Sequence, residues 1–166
     1  MTPDERARTI AYLDLQEGRG PVQTLGDDAV RELLGTTRRI AVIGASDDQR
    51  RPSYDVFQHL LASGFDAVPV NPNVRDVAGV PAFSAVDEAV AVGGPFDIVD
   101  VFRRPEYCAA HAREAVATGA RCLWLQLGIV DWEAAQIAHD GGLSVVMDRC
   151  LSVEWRRLGR RSTEGP

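Results

Sequence analysis

The sequence has little cysteine and a shortage of positive charge, and each shortage excludes a class of protein. Its three cysteines, Cys108, Cys122 and Cys150, are widely spaced and form no C-x-x-C pair. An odd number at this spacing argues against both a disulfide framework and a structural zinc site. The 18 basic residues are outnumbered by 24 acidic ones, which gives a net charge of −6. That sign argues against nucleic acid as the main partner.

Long apolar runs are also missing. No run approaches the roughly 20 residues that a membrane-spanning helix needs, so we expect no membrane insertion. The stretch Met1 to Glu17 is rich in charge and lacks the apolar core of a secretory signal. We therefore expect a cytoplasmic protein, and the composition, with 45% hydrophobic and 25% charged residues, is typical of a globular domain.

The 166 residues predict one domain with short additions at both ends. Helical spacing of apolar residues and a first-turn proline predict a helix over Pro3–Leu15. A second helix is predicted over Asp27–Leu34, with Gly35 as its end. These two helices form a predicted N-terminal extension, residues 1–37. The domain itself is predicted over residues 38–158, and the polar tail 159–166 is expected to be disordered.

From Arg39 onward, apolar strands and amphipathic helices alternate. The predicted strands are 39–43, 65–70, 96–102, 121–126 and 143–147, with a short extended piece at 80–82. The predicted helices are 52–63, 86–92, 105–118, 131–139 and 152–158. Continuous apolar strands separated by such helices predict an α/β fold, a doubly wound parallel sheet of Rossmann-like type with helices on both faces.

The turn after the first predicted strand indicates an anion site. Gly44-Ala45-Ser46 follows the strand, and Pro52 and Ser53 open the next helix, whose N-terminal N–H groups attract phosphate. The three-glycine dinucleotide fingerprint and the P-loop string are both absent. An NAD site also needs an acid at the end of the second strand, where this chain has Asn71 and Pro72. A nucleotide-like ligand other than NAD is therefore expected.

Ligands of an open parallel sheet bind beyond the carboxyl ends of its strands, and this chain places arginines there. The arginines that follow predicted strands are Arg50, Arg51, Arg103, Arg104 and Arg149. Such a concentration in a protein of negative net charge indicates a ligand with more than one negative group.

Five segments, taken in order, resemble the small stand-alone CoA-binding proteins, which are similar to the CoA-binding domain of the succinyl-CoA synthetase alpha subunit. The segments are Ile40–Ser46 with Arg51–Tyr54, Pro69–Pro72, Asp97–Pro105, Trp124–Gly128 and Met147–Cys150. The resemblance covers roughly Arg38 to Leu158 and implies a Rossmann-like fold that binds CoA or an acyl-CoA.

The resemblance also implies which residues contact the ligand. Those implied near the phosphates are Gly44, Ala45, Ser46, Arg50, Arg51, Pro52 and Ser53. Those implied beside the nucleotide are Asn71, Pro72, Val101, Phe102 and Arg103. Those implied toward the pantetheine arm are Gln126, Met147, Asp148, Arg149 and Cys150.

The chain departs from that family in two ways. Asp47 and Asp48 stand in the turn where relatives commonly carry basic or neutral residues, and two acids there would weaken polyanion binding unless they point to solvent. The three histidines, His59, His111 and His139, all fall in predicted helices. No loop histidine is left to accept a phosphoryl group as in the synthetase.

Each candidate also has a purely structural interpretation. The turn at Gly44 can exist without a ligand, and Arg103 and Arg104 can pair with Asp100 or Glu106. Arg149 can likewise pair with Asp148.

Similar alternatives apply to the remaining candidates. Trp124 is expected in the core, and the histidines on helix surfaces. Cys108 and Cys122 are expected to pack inside. Cys150 is either a small buried residue or a thiol able to form a mixed disulfide with CoA.

No nucleophile with a base, no paired loop carboxylates and no metal cluster is recognisable, so no catalytic residue is assigned. We therefore expect a binding module for a small nucleotide ligand. The rival hypotheses are an acyl-CoA ligase component that lacks its partner chain, an NAD(P)-dependent oxidoreductase, and a structural protein whose site is lost. The sequence leaves open whether the chain forms oligomers or binds a protein partner.

Overall fold

The computed structural model describes residues 1–159. Its strands are β1 Arg39–Ile43, β2 Asp66–Val70, β3 Asp76–Val77, β4 Val80–Pro81, β5 Ile98–Val101, β6 Cys122–Leu125 and β7 Ser144–Val146. Its helices are α1 Pro3–Gln16, α2 Asp27–Thr36, α3 Pro52–Ala62, α4 Val86–Gly93, α5 Pro105–Ala117, α6 Trp132–Asp140 and α7 Leu151–Glu154. Within these residues no helix is both long enough and apolar enough to cross a membrane.

Five parallel strands form the central sheet in the order β2-β1-β5-β6-β7, which confirms the predicted doubly wound fold. The order reverses between β1 and β5, so the connections leave these neighbours in opposite directions. This point is where an open α/β sheet forms its ligand crevice. The strands β3 and β4 form a separate short hairpin, which includes most of the extended piece predicted at 80–82.

The sheet separates two apolar clusters. One lies against α4, α5 and α6 and contains Val99, Leu123 and Val145. The other lies against α2, α3 and α7 and contains Phe57, Ile98 and Trp124, which is fully buried as expected. Alternate strand residues therefore face opposite clusters, and burial on both faces explains why the strands are continuously apolar.

The ends of the helices are defined by recognisable local features. Thr2 and Glu5 form a reciprocal capping box at the start of α1. The prediction that Gly35 ends α2 is wrong, because the helix continues to Thr36. The hydroxyl of Thr37 donates to the Leu33 carbonyl at 2.7 Å and satisfies the end of the helix in place of a glycine turn.

After α7 the chain forms a π-helical turn, Trp155–Gly159, so the predicted last helix is split into two types. Arg157 and Arg149 both contact the carboxylate of Asp27, at 2.9 and 3.2 Å, and so fasten α2 to the end of the chain. The hydrogen bond from Arg157 lowers the pKa of Asp27 to about 2. Apart from Gly159, the predicted tail lies outside the described residues.

The amino edge of the sheet is closed by well-satisfied charges. Arg39 donates to the carbonyls of Ala89 and Gly94 at 3.0 and 3.2 Å, pairs with Asp66 at 2.7 Å, and lies over the Phe96 ring. The Asp97 carboxylate accepts from the backbone N–H groups of Arg38 and Arg39 at 2.8 and 3.0 Å. Burial alone would raise the pKa of Asp97, but these bonds and the Arg121 charge outweigh it and lower that pKa.

Candidate functional site

A cavity of about 210 Å³ lies at the point where the strand order reverses, and we call it the switch-point cavity. Its walls come from the ends of β1, β2 and β5 and from one side of α5. The lining residues are Ile43, Gly44, Val70, Asn71, Pro72, Asn73, Ser84, Phe102, Arg103, His111 and Glu114. Five of the predicted ligand residues, Gly44, Asn71, Pro72, Phe102 and Arg103, therefore meet in one place.

Gly44 permits the close approach of β1 to β5 at this cavity. Its φ of +79° lies in the region that favours glycine, and a Cβ there would come within 2.5 Å of the Phe102 carbonyl oxygen. Asn71 braces the same turn, because its side-chain amide donates to the Ala45 carbonyl at 2.9 Å. An amide used in this way is committed to the protein and does not replace the acid of an NAD site.

The turn beyond Gly44 is organised by hydroxyl and carboxylate groups. The Ser46 N–H donates to the Ser53 hydroxyl at 3.1 Å, and the Asp48 N–H donates to the Ser46 hydroxyl at 3.0 Å. Asp48 also pairs with Arg50 at 3.1 Å, and that side-chain hydrogen bond is the main cause that lowers the pKa of Asp48. Asp47 is exposed. The charge of Asp48 is therefore matched within its own turn.

The five arginines predicted at this edge fall into two groups. Arg50 is engaged by Asp48, and Arg149 by Asp27 and Glu154, so the interpretation of an Arg149–Asp148 pair is wrong. Within residues 1–159, no carboxylate lies within 4 Å of Arg51, Arg103 or Arg104. The pairing of Arg103 and Arg104 with Asp100 or Glu106 is therefore also wrong; the Arg103 guanidinium instead lies 4.4 Å from the centre of the Tyr107 ring. Three cations at this edge thus lack an ion-pair partner in the described chain.

His111 contributes a polar atom to the switch-point cavity. Its ring is half-buried on α5, with Nδ1 inaccessible to solvent and 3.5 Å from the Glu114 carboxylate, but without a hydrogen bond among the described residues. Burial lowers the pKa of His111, and Glu114 only partly offsets this effect. His111 therefore differs from the helix-surface histidine that the sequence predicted.

The remaining predicted ligand residues have side chains that do not face this cavity. Those of Ala45, Val101, Gln126 and Met147 are buried in the core, and Ser53 is buried beneath the turn it holds. The Gln126 side-chain oxygen accepts from the Leu151 N–H at 3.0 Å, and so positions the start of α7. For these residues the sequence-based assignment as ligand contacts stays a prediction.

Asp148 joins three segments at the far end of the edge. Its φ of +59° is uncommon for a residue with a side chain, and its carboxylate accepts from the Gly128 N–H at 2.7 Å. The Tyr12 hydroxyl of α1 lies near the same carboxylate, and the interaction with Asp148 raises the pKa of Tyr12. The loops after β6 and β7 and the first helix are therefore fixed to one another here.

A larger cavity, about 420 Å³, lies under α1, and we call it the α1 cavity. It is lined by Arg8, Tyr12, Arg104, Pro105, Glu106, Gly128 and Val130. The helix is held above it partly by Trp132, whose indole N–H donates to the Ala11 carbonyl at 3.1 Å. The N-terminal helix therefore belongs to the carboxyl edge of the sheet, where it covers the ends of β5 and β6.

The three thiols occupy different environments. Cys108 and Cys122 are buried as predicted, and burial raises the pKa of Cys108 to about 12 and raises that of Cys122 as well. Cys150 is half-buried, with Sγ 3.4 Å from the Ser152 hydroxyl. Nearby, the carboxyl group of Asp100 is fully buried without a hydrogen bond to any described residue, and burial raises its pKa well above the ordinary value.

Among residues 1–159, no group of three or more histidine, cysteine or acidic side chains lies together in a way that would hold a metal ion.

The sequence model of the CoA binding domain matches residues 38–156. The chain belongs to the CoA-binding domain family. The match confirms the resemblance proposed from the five segments, and family membership supports CoA as the ligand.

The chain is similar in sequence to proteins of Bacillus subtilis and Pyrococcus furiosus. Over 124 residues the chain is 40% identical to the uncharacterized protein YneT of Bacillus subtilis, a match that covers 75% of this chain and 90% of YneT. Over 127 residues it is 27% identical to the alpha subunit of acetate–CoA ligase (ADP-forming) II of Pyrococcus furiosus. That match covers 70% of this chain but only 27% of the ligase subunit.

The same fold is found among solved structures. A protein from Thermus thermophilus superposes with a TM-score of 0.74 at 35% identity, covering 81% of this chain and 99% of that one.

Several residues around the two cavities of this CoA-binding family member were missed from sequence. His111 stands one residue before Ala112 and three after Cys108, both buried, so the helical period already placed it beside the buried face of α5. Arg104 and Gly128 directly follow strands and were noted, but not assigned to a site. No local sequence pattern marks Arg8 and Tyr12 as site residues, because only the tertiary position of α1 brings them to the carboxyl edge of the sheet.

Proposed function

We propose that this protein binds CoA or an acyl-CoA along the carboxyl edge of its sheet, without chemistry of its own, as a carrier, sensor or regulator. The observation that carries the proposal is the set Arg51, Arg103 and Arg104, three cations without a carboxylate partner within residues 1–159. In a chain of net charge −6, such a set forms a local positive site that attracts an anion. The phosphates of CoA supply that charge.

The nucleotide part of the ligand is assigned to the switch-point cavity. Gly44 allows the backbone to approach a phosphate closely, and the start of α3 at Pro52 presents N–H groups toward the same turn. Arg103, fixed by its contact with the Tyr107 ring, lines the cavity itself. The pantetheine arm then runs from β5 toward β6 and β7.

The test is calorimetric titration of the reduced protein with CoA, dephospho-CoA and NADH. We expect saturable binding of CoA, weaker binding of dephospho-CoA because it lacks one phosphate, and no binding of NADH. The variants R51A and R103A should each weaken CoA binding about tenfold, which is the loss of one charge-assisted contact. The variant R113A removes an exposed arginine of α5 that faces Glu133, and should leave the affinity unchanged.

The absence of any CoA binding would refute the proposal. Binding of NADH in preference to CoA would favour the oxidoreductase hypothesis instead. Equal affinity in R51A, R103A and the unchanged protein would show that the three arginines do not contact the ligand.

A second candidate function is the CoA-holding component of an acyl-CoA ligase. It is favoured by the similarity to the ligase alpha subunit of Pyrococcus furiosus, of which the chain spans about a quarter. That hypothesis requires a partner that supplies the phosphoryl-accepting residue. Release of CoA-linked product by the purified chain alone, given a carboxylic acid, ATP and CoA, would contradict the proposal of a non-catalytic module.

A further inference from the structure

The α1 cavity continues the proposed CoA groove. Arg103 lines the switch-point cavity and the next residue, Arg104, lines the α1 cavity, so the two open on either side of the same turn. Parallel strands lie about 4.8 Å apart, which places the end of β6 about 10 Å from that of β1. A CoA whose nucleotide occupies the first cavity can therefore reach the second with its thiol end.

The lining of the α1 cavity has a mixed character. Pro105 and Val130 give it apolar walls, and a volume of about 420 Å³ is within the range of small-molecule sites. Arg8 and Arg104 bring two positive charges, and Glu106 brings one negative charge. Within residues 1–159, neither arginine has a carboxylate within 4 Å, so Glu106 does not neutralise them by direct pairing.

From this arrangement, and resting on the proposed function, we propose that the α1 cavity holds the acyl group of an acyl-CoA and selects a short chain that ends in a carboxylate. The apolar walls contact the methylene groups. Arg8, carried by the helix that covers the cavity, meets the terminal carboxylate from one side, and Arg104 meets it from the other. The selecting charge Arg8 lies outside the segment that matches the family.

The experiment compares two acyl-CoA esters of equal chain length, glutaryl-CoA and pentanoyl-CoA, which differ in a terminal carboxylate against a terminal methyl group. Calorimetry with the full chain should give an affinity for glutaryl-CoA about tenfold higher, the effect of one charge-assisted contact. In R8Q this ratio should fall to near one. In R6Q, which removes an exposed arginine of α1 that does not line the cavity, the ratio should be unchanged.

A second variant, E106Q, should change the preference in the direction opposite to R8Q. Because Glu106 is the acidic residue of that lining, E106Q should raise the preference for glutaryl-CoA severalfold. Circular dichroism of each variant checks that α1 remains helical.

The outcomes separate the two proposals. If free CoA binds but both esters bind equally, or if R8Q keeps the tenfold ratio, the acyl-site inference is overturned while the CoA-binding function stands. If neither CoA nor either ester binds, both proposals fail together.

Discussion

At the amino edge of the sheet, Arg39 is surrounded by acceptors, whereas at the carboxyl edge Arg51, Arg103 and Arg104 have no carboxylate within 4 Å in residues 1–159. Two acids show a second difference, in backbone conformation. Asp97 accepts two backbone N–H groups without a positive φ, whereas Asp148 is held at a φ of +59°. Arg39 at the amino edge is paired within the described chain, whereas three arginines of the carboxyl edge have no ion-pair partner among residues 1–159. The comparison teaches that residue type alone does not distinguish a stabilising charge from a binding one; the partners do.

The largest expected effect is a loss of stability on removing the Arg39 contacts at the amino edge of the sheet. In R39M the carbonyls of Ala89 and Gly94 lose their donor and Asp66 loses its partner. The free energy of unfolding should fall by about 2–4 kcal/mol, since a largely buried charge network is lost. Urea denaturation measures this change. The neighbouring variant R38A, which removes an exposed side chain, should change the free energy by less than about 0.5 kcal/mol.

Ligand binding by R39M tests whether the amino and carboxyl edges of the sheet act independently. CoA affinity of folded R39M should equal that of the unchanged protein, because Arg39 lies at the opposite edge of the sheet. A joint loss of stability and affinity would show that the two edges are coupled.

The next effect concerns Asp100, a buried carboxyl group on β5 that belongs to neither edge. Burial raises its pKa, so the folded protein keeps it protonated while the unfolded chain ionises it near the ordinary value of 3.8. Stability should therefore fall as the pH rises above that value. In D100N this loss is absent. The difference in free energy of unfolding, D100N minus the unchanged protein, should therefore be about 1–3 kcal/mol more favourable to D100N at pH 7 than at pH 3. Thermal unfolding at both pH values tests the sign.

The smallest expected effect also lies at the amino edge. The pKa of Asp97 is lowered in the folded protein, so its stabilising contribution is present above the ordinary pKa of 3.8 and is lost as the pH falls toward the folded value. Because the Asp97 side chain keeps about a quarter of its surface exposed, solvent partly screens its charge, and D97N should cost only about 0.5–1 kcal/mol at pH 7. The difference should vanish in acid. A difference that persists at low pH would assign the effect to geometry and not to charge.

Most of the fold was predictable because its strands are short, apolar and bounded by glycine or proline. The bounds of β1 agree at both ends and those of β2 at its carboxyl end, and the remaining bounds of the main strands differ by one or two residues. The end of α2 was missed because Thr36 and Thr37 supply the terminal hydrogen bonds through their hydroxyls.

The candidate site was predictable only where it is local in sequence. Gly44, Asn71 and Arg103 could be placed because each directly follows a strand. The engagement of Arg149 could not, since its partner Asp27 lies 122 residues away. Arg8 and Tyr12 could not be predicted for the same reason, because only the packing of α1 brings them to the carboxyl edge of the sheet.

The attachment of α1 has an energetic consequence. No residue of this helix is buried, and its middle is held by the hydrogen bond from the Trp132 indole N–H to the Ala11 carbonyl. Lifting the helix would expose the half-buried Leu15 but no fully buried side chain of the helix, so it requires far less free energy than unfolding the sheet beneath it. If the proposed acyl site is correct, exchange of the acyl group is thereby separated from the stability of the fold, because α1 can lift while the strands and the other helices stay packed.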